Sequence, residues 1–464
     1  MSTKSFVDLI AKAIDEIAKV SHLPNEDRRL YLRDNVPIPP NIPVGQGQMV
    51  FTTRQGLQAI HELGLRWRSE SQHRKRRLSP ARTRILAVEV FGEALEAGML
   101  YNKHDLGKAR KDLERRLDAR LDAAAHQVFH YFPCYIFDDT SVGAFNVGPV
   151  RILPRLEWLD HVEKTAGKET NWADCVRTVW ADGEAPPTGE TPPELGARTV
   201  IDGFGTCAWA ATVSVQGNDI GRSQERGHAA VRLAVDAMGL VLSRQRALNL
   251  RGPGDKLCAT LTRKLMQRPG TDIYGEQILD LPTLGGAPSF STKYLTDTTS
   301  YREAAGRAIE AIIDPSSTAT LLALRHRWCD ALFWFGEARR DTTDFMALVR
   351  YGMTLDILAK GKKASGIAAL LAALLGCKAD APLLMDRTTL KQAVKKIYED
   401  GRSQLGHGGR PALLEDLPFS REGADLVASI ALKGYVLCLS LYTGADSYED
   451  FLRAIPGLVQ RLPK

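Results

Sequence analysis

Ala319-Thr-Leu-Leu-Ala-Leu-Arg-His-Arg-Trp-Cys-Asp-Ala-Leu-Phe-Trp-Phe-Gly-Glu-Ala-Arg-Arg340 opens the stretch that decides the fold. Its apolar residues return at helical spacing, and the same periodicity recurs over Thr342–Ala359 and Ala364–Leu375. Asp386 is placed to cap a helix running through Leu390, Val394 and Ile397. After Pro418 a long helix is expected from Arg421 to about Leu441, and a short one from Tyr448 to Val459. Five or six helices of this length joined by short loops predict a helical bundle over residues 318–464. The Asp314-Pro-Ser-Ser-Thr318 break marks where it begins.

Outward from the bundle, the preceding chain mixes helix and strand signals. Met1–Val20 reads as an amphipathic helix, and Val36–Val44 as an extended segment, because each proline biases its predecessor away from helix. Ala81–Leu100 and Asp105–Gln127 carry helical periodicity. Phe129–Phe137 and Ala144–Leu153 are rich in aromatic and β-branched residues around a glycine-containing turn, and read as strands. Gly183–Gly196 holds four prolines and three glycines and reads as a linker. Strand signals resume over Thr199–Val215, and a helix is expected from about Gln224 to Arg246. At roughly 100 to 200 residues per domain, 464 residues suggest two to four domains. The reading divides them as an α+β region over 1–182, a strand-plus-helix region over 197–313, and the bundle. The expected class is α+β, predominantly helical.

Composition narrows the function classes. With 44% apolar and 25% charged residues the chain is neither disordered nor fibrous. Sixty-one Lys and Arg against 55 Asp and Glu give a charge of +6, which permits an anionic partner without demanding one. Seven widely spaced cysteines without a CxxC predict reduced, mostly buried thiols and no zinc knuckle. No signal-peptide core stands at the N-terminus, and Ile367–Leu375 is far short of the roughly 18 apolar residues that span a bilayer, so a cytoplasmic protein with no membrane partner is expected. Phosphate-loop, dinucleotide, hydrolase-elbow and zincin motifs are absent, and no cofactor or metal is expected. One basic run stands out: Arg66, Arg68, Arg74, Lys75, Arg76, Arg77, Arg82 and Arg84. Clustered guanidiniums bind phosphate bidentately, but the same run also reads as a solvated face.

The segment Ile397-Tyr-Glu-Asp-Gly-Arg402-Ser-Gln-Leu-Gly-His407-Gly-Gly409 separates Arg402 from His407 by four residues, with Ser403 after the arginine and Gly408 after the histidine. It resembles the RxxxxH signature of HEPN-domain ribonucleases, and Tyr398, Arg402, Ser403, His407 and Gly408 are most similar to the ApeA-like branch of bacterial anti-phage proteins. Spacing alone is weak, since six of the ten histidines follow an arginine by four to six intervening residues, among them Arg68 with His73, Arg120 with His126 and Arg222 with His228. Context singles out the last copy. Ala331–Ala338 and Leu348–Leu358 resemble the family's two leading helices, with Asp356 where an acidic residue is usual, and Asp425–Leu441 resembles the closing one. The resemblance is good over roughly residues 318–445 and looser before them. Gly401 and Gly406 depart from it, standing where apolar helix formers are more common, and each helical glycine costs about 1 kcal/mol relative to alanine. That places His407 at a helix end or in the following turn.

The residue types suit RNA cleavage. The 2′-hydroxyl is a nucleophile built into the substrate, imidazole carries protons near neutral pH, and a guanidinium stabilises charge on phosphate. The resemblance implies a metal-independent endoribonuclease of anti-phage defence, with Arg402 and His407 catalytic and Ser403, Tyr398 and Asp356 supporting. It further implies pairing across a twofold axis in a homodimer or higher oligomer, RNA as partner, and release by a phage-derived trigger. The rival reading is a catalytically silent HEPN protein that binds RNA or a partner through its dimer face.

Overall fold

The computed structural model describes residues 5–22, 41–45, 47–100, 105–124, 126–166, 171–252, 260–266, 274–280, 288–314, 320–383, 387–406, 417 and 419–462. The chain is predominantly helical with a few small sheets. It divides into two compact units that do not follow the three consecutive segments read from the sequence. The first joins Met1–Val128 to Val215–Arg226 and Asp314–Ser316, and the second holds the rest.

Helix starts in the first unit are set by hydroxyl caps, because the first N–H groups of a helix lack partners within it. Ser5, Thr53, Ser71 and Ser79 each accept a backbone N–H at the heads of α1 (Phe6–Ser21), α2 (Arg54–Ser69), α3 (Gln72–Arg77) and α4 (Pro80–Glu96). The hairpin β1 (Asn41–Pro43) and β2 (Met49–Phe51) lies between α1 and α2 in sequence, and α5 (Leu106–Ala124) closes the set. Phe6, Ile10, Ile60, Leu63, Trp67, Phe91 and Leu117 form the shared core.

The second unit carries a four-stranded sheet of β3 (Val128–Cys134), β4 (Phe145–Val147), β5 (Val150–Pro154) and β6 (Trp209–Val215), in the order β3-β6-β5-β4. β6 lies inside the sheet, antiparallel to β5 with Val150 opposite Val213 and Pro154 opposite Trp209. Both edges of β6 are paired, and Trp209-Ala-Ala-Thr-Val is buried throughout rather than alternating, so both faces of the strand are covered as well. Between β5 and β6 run α6 (Arg155–Ala166), α7 (Ala173–Asp182) and α8 (Pro192–Phe204), packed around Trp158, Trp180 and Phe204.

Here two sequence expectations are corrected. Thr199–Phe204 is helix, not strand, and the proline-rich segment ends inside that helix. Pro192 and Pro193 occupy its first turn, where a missing N–H costs nothing, and Thr191 with Glu194 forms a capping box. The next helix, α9 (Ile220–Leu240), also starts and ends earlier than the expected Gln224–Arg246, and a short α10 (Arg244–Ala247) follows it.

After the hairpin β7 (Thr260–Met266) and β8 (Tyr274–Asp280) the unit is helical: α11 (Pro288–Asp297), α12 (Thr299–Ile313), α13 (Leu322–Arg340), α14 (Asp344–Leu358) and α15 (Lys363–Leu375). Next come α16 (Leu390–Val394), a π-helical stretch Lys395–Ser403, α17 (Arg421–Leu441) and α18 (Tyr448–Val459). The helices expected in this third of the chain are there. Asp386 lies outside the described residues, and the cap of α16 is Thr389, in a capping box with Gln392.

Among the described residues α17 is long and apolar enough to cross a membrane by length and composition, whereas the sequence reading named Ile367–Leu375 as the longest apolar candidate. It packs against α12, α13, α14, α15 and α18. Asp425, on its buried face, accepts from Arg339 at 2.7 and 2.9 Å and from the Tyr351 hydroxyl at 2.8 Å. The described cysteines are unpaired thiols, with Cys134, Cys207, Cys329 and Cys438 buried; burial pushes Cys207 and Cys438 up to about 11. Cys258 lies outside the described residues.

Candidate functional site

Arg402 sits in the π-helical stretch Lys395–Ser403, which crosses α14 at unusually short range. Two glycines permit that approach. A Cβ on Gly352 of α14 would stand 2.5 Å from the Arg402 Cβ, and one on Gly401 would stand 2.9 Å from the Leu348 Cγ. The departure at Gly401 therefore has a packing reason: its missing side chain makes room for Leu348. A π stretch widens the helix through i→i+5 hydrogen bonding, an arrangement found frequently at functional sites.

Three of the six residues singled out with the signature come together here. The Arg402 guanidinium lies over the Tyr398 ring at 5.3 Å, and its Nη2 is 3.6 Å from Oδ2 of Asp356 on α14. Asp356 is held by the turn that ends α14, where its Oδ1 accepts the Lys363 N–H at 3.2 Å. Burial and the Asp356 carboxylate push the Tyr398 hydroxyl above the ordinary phenol range, while Arg402 pulls the other way. The Arg402 side chain keeps 33% of its surface exposed against 14% for Asp356. The guanidinium is thus held by a loose ion pair and a ring face while the side chain stays partly exposed. Ser403 is partly buried at the end of the same stretch. His407 and Gly408 lie outside the described residues.

The rival arginine and histidine pairs are engaged elsewhere. Arg68 donates to the carbonyls of Leu78 at 2.7 Å and Lys75 at 3.1 Å, while His73 meets Arg77 at 2.9 Å. Arg120 pairs with Glu93. Arg222 belongs to the first unit, and His228 packs edge-on against Phe132 in the second.

Of the basic run, Arg74 grips Asp118 with two bonds of 2.9 and 2.8 Å and lies over the Trp67 ring, and Arg77 reaches Asp122 at 2.8 Å and the Gly217 carbonyl at 2.7 Å. Arg66 is 3.6 Å from Glu70. Lys75 is partly exposed and Arg76 exposed. Sequence reading named Arg222 only as a partner for His228 and passed over Arg226, and both fold onto this same helix. Their one signal is an i, i+4 spacing that puts both on one helical face.

Among the described residues no three His, Cys, Asp or Glu side chains gather at metal-ligand spacing. A cavity between Asp236, Arg251, Phe335, Arg339 and Arg340 has about 40 Å³ of open space, room for a single water rather than a ligand. Compared with protein-family models, characterised proteins and solved structures, the chain matches none.

Proposed function

We propose that the protein is a metal-independent endoribonuclease of the HEPN type acting in anti-phage defence, with Arg402 and His407 as its catalytic pair. The observation that carries this reading is the convergence of Arg402, Tyr398 and Asp356 in a helical bundle, with the Arg402 side chain held by both partners and still partly exposed. A group so held is oriented before substrate arrives, so it stabilises phosphate charge without paying for reorganisation at the moment of reaction.

In the proposed reaction His407 takes the proton of the 2′-hydroxyl as the 2′-oxygen bonds to phosphorus. Arg402 neutralises the charge that develops on the phosphoryl oxygens. The bond from phosphorus to the 5′-oxygen breaks, and the leaving oxygen takes a proton from a second acid, which a partner copy's histidine supplies in a twofold dimer. The products are a 2′,3′-cyclic phosphate and a free 5′-hydroxyl. Asp356 and Tyr398 act as positioning residues for Arg402.

Purified protein on total RNA in excess EDTA tests this. Cleavage leaving 2′,3′-cyclic or 3′-phosphate ends, with no cutting of a DNA copy, is the expected result. Equal cutting of DNA, or loss of cleavage in EDTA, would overturn it. Intact RNA under every condition, with binding retained, would instead support the silent HEPN reading.

A further inference from the structure

The first unit gathers more positive charge around α3 than its packing requires. Gln72-His-Arg-Lys-Arg-Arg77 buries none of its residues, yet three guanidiniums from outside it converge on its C-terminal carbonyls. Arg68 and Arg222 both donate to the Lys75 carbonyl, at 3.1 and 3.2 Å, and Arg226 donates to that of Arg76 at 3.0 Å. Lys75 and Arg76 take part in these bonds through their carbonyls, and their side chains are partly exposed and exposed, respectively. Six cationic side chains (Arg68, Lys75, Arg76, Arg77, Arg222, Arg226) thus crowd against four carboxylates, Asp122, Asp219, Glu225 and Asp314.

One cation commonly satisfies a helix C-terminus, and a six-residue helix has little dipole to offer three. The Arg222 Nε is buried with no hydrogen-bond partner. Burial, Arg222 and Arg76 together hold Arg226 down at about 10, and burial with Arg222 likewise lowers Arg68. Like charges pressed together this way are relieved by an anion.

We infer that the surface formed by Lys75, Arg76, Arg222 and Arg226 binds the phosphodiester backbone of RNA. The choice of RNA rests on the function proposed above, whereas the anion site rests on the charges alone. A membrane surface has less support, because α3 is polar throughout and offers lipid no apolar face to add to the electrostatic attraction, whereas RNA needs the charges alone. The site belongs to the first unit, whereas Arg402 belongs to the second, and it unites residues about 150 positions apart in sequence.

The test is fluorescence anisotropy of the full-length protein with a labelled 2′-O-methyl oligouridine, which keeps the phosphates but cannot be cleaved by 2′-hydroxyl attack. Lys75→Gln/Arg76→Gln and Arg226→Gln chains are compared with wild type over a salt series, with melting temperatures checking the fold. Each lost phosphate contact should lower the slope of log affinity against log salt by about 0.7, so the double variant should lose about 1.4 and bind at least ~10-fold more weakly. Unchanged affinity and slope in folded variants would overturn the inference. So would displacement by inorganic phosphate beyond the effect of chloride at equal ionic strength, which marks a single-phosphate site. Binding to phosphatidylserine vesicles that the same substitutions abolish, with oligonucleotide binding unaffected, would point to a membrane instead. Weakened variants alongside a wild type that never cuts RNA would sink the ribonuclease reading alone; unaffected variants with active cleavage would sink this one alone.

Discussion

Gly352→Ala probes the crossing that presents Arg402. The new Cβ would meet the Arg402 Cβ at 2.5 Å and the Ile397 carbonyl oxygen at 3.2 Å. Carbon atoms pack at about 3.5 to 4.0 Å, so α14 and the π stretch must part by roughly 1 Å, and neither obstacle is the loose end of a flexible chain. Overpacking of this kind costs about 1 to 3 kcal/mol, offset by about 1 kcal/mol for replacing a helical glycine. The expected net effect is a destabilisation of about 0 to 2 kcal/mol. Activity should suffer more, because a misplacement of about 1 Å at a reacting group can cost on the order of 10²-fold. Gly457→Ala in α18 is the control, since nothing lies within 4 Å of its added Cβ, and it should be neutral or slightly stabilising with full cleavage. Thermal melts and initial rates on a labelled RNA read both quantities. If Gly352→Ala melted like Gly457→Ala and cleaved at the wild-type rate, the argument that this close crossing positions Arg402 would fail.

Other consequences follow from the bundle and its charges. Arg339→Met leaves Asp425 buried without its cation and should destabilise the protein by about 3 to 5 kcal/mol in denaturant melts, with Arg339→Met/Asp425→Leu recovering much of the loss. Burial and the nearby Arg84 hold His61 below the ordinary histidine value of 6.5, so the unfolded chain takes up its proton first on acidification. Stability should therefore be full above about pH 6.5 and fall as pH drops toward the folded value, with a shallower fall in His61→Gln; identical pH profiles would contradict this. If the site is shared across a twofold axis, specific activity should decline on dilution below the dimer dissociation constant, and a strictly monomeric protein with full activity would show that one chain suffices.

The C-terminal helices were legible because their apolar residues repeat at the period of an α-helix over whole segments. Helical spacing puts Tyr398 within one turn of Arg402, whereas Asp356 stood in the sequence reading only through the resemblance, and its 3.6 Å approach to Arg402 is a contact between two helices that spacing does not encode. The π stretch was not legible. Its close packing of Gly401 against Leu348 is a contact between helices that no single-helix periodicity encodes. Thr199–Phe204 was misread because its β-branched residues outweighed a capping box placed behind prolines. The burial of Arg339 with Asp425 and the folding of Arg226 onto Arg76 are tertiary events between residues far apart in the chain, and each side chain alone looks like an ordinary surface charge.

The most direct test of the central claim is the rate of RNA cleavage by Arg402→Ala and His407→Ala chains beside wild type, each verified as folded by its melting temperature. Both substitutions should lower the rate by about 10²-fold or more, since each removes a stabiliser of transition-state charge or a proton carrier. Wild-type cleavage surviving in both would contradict the account.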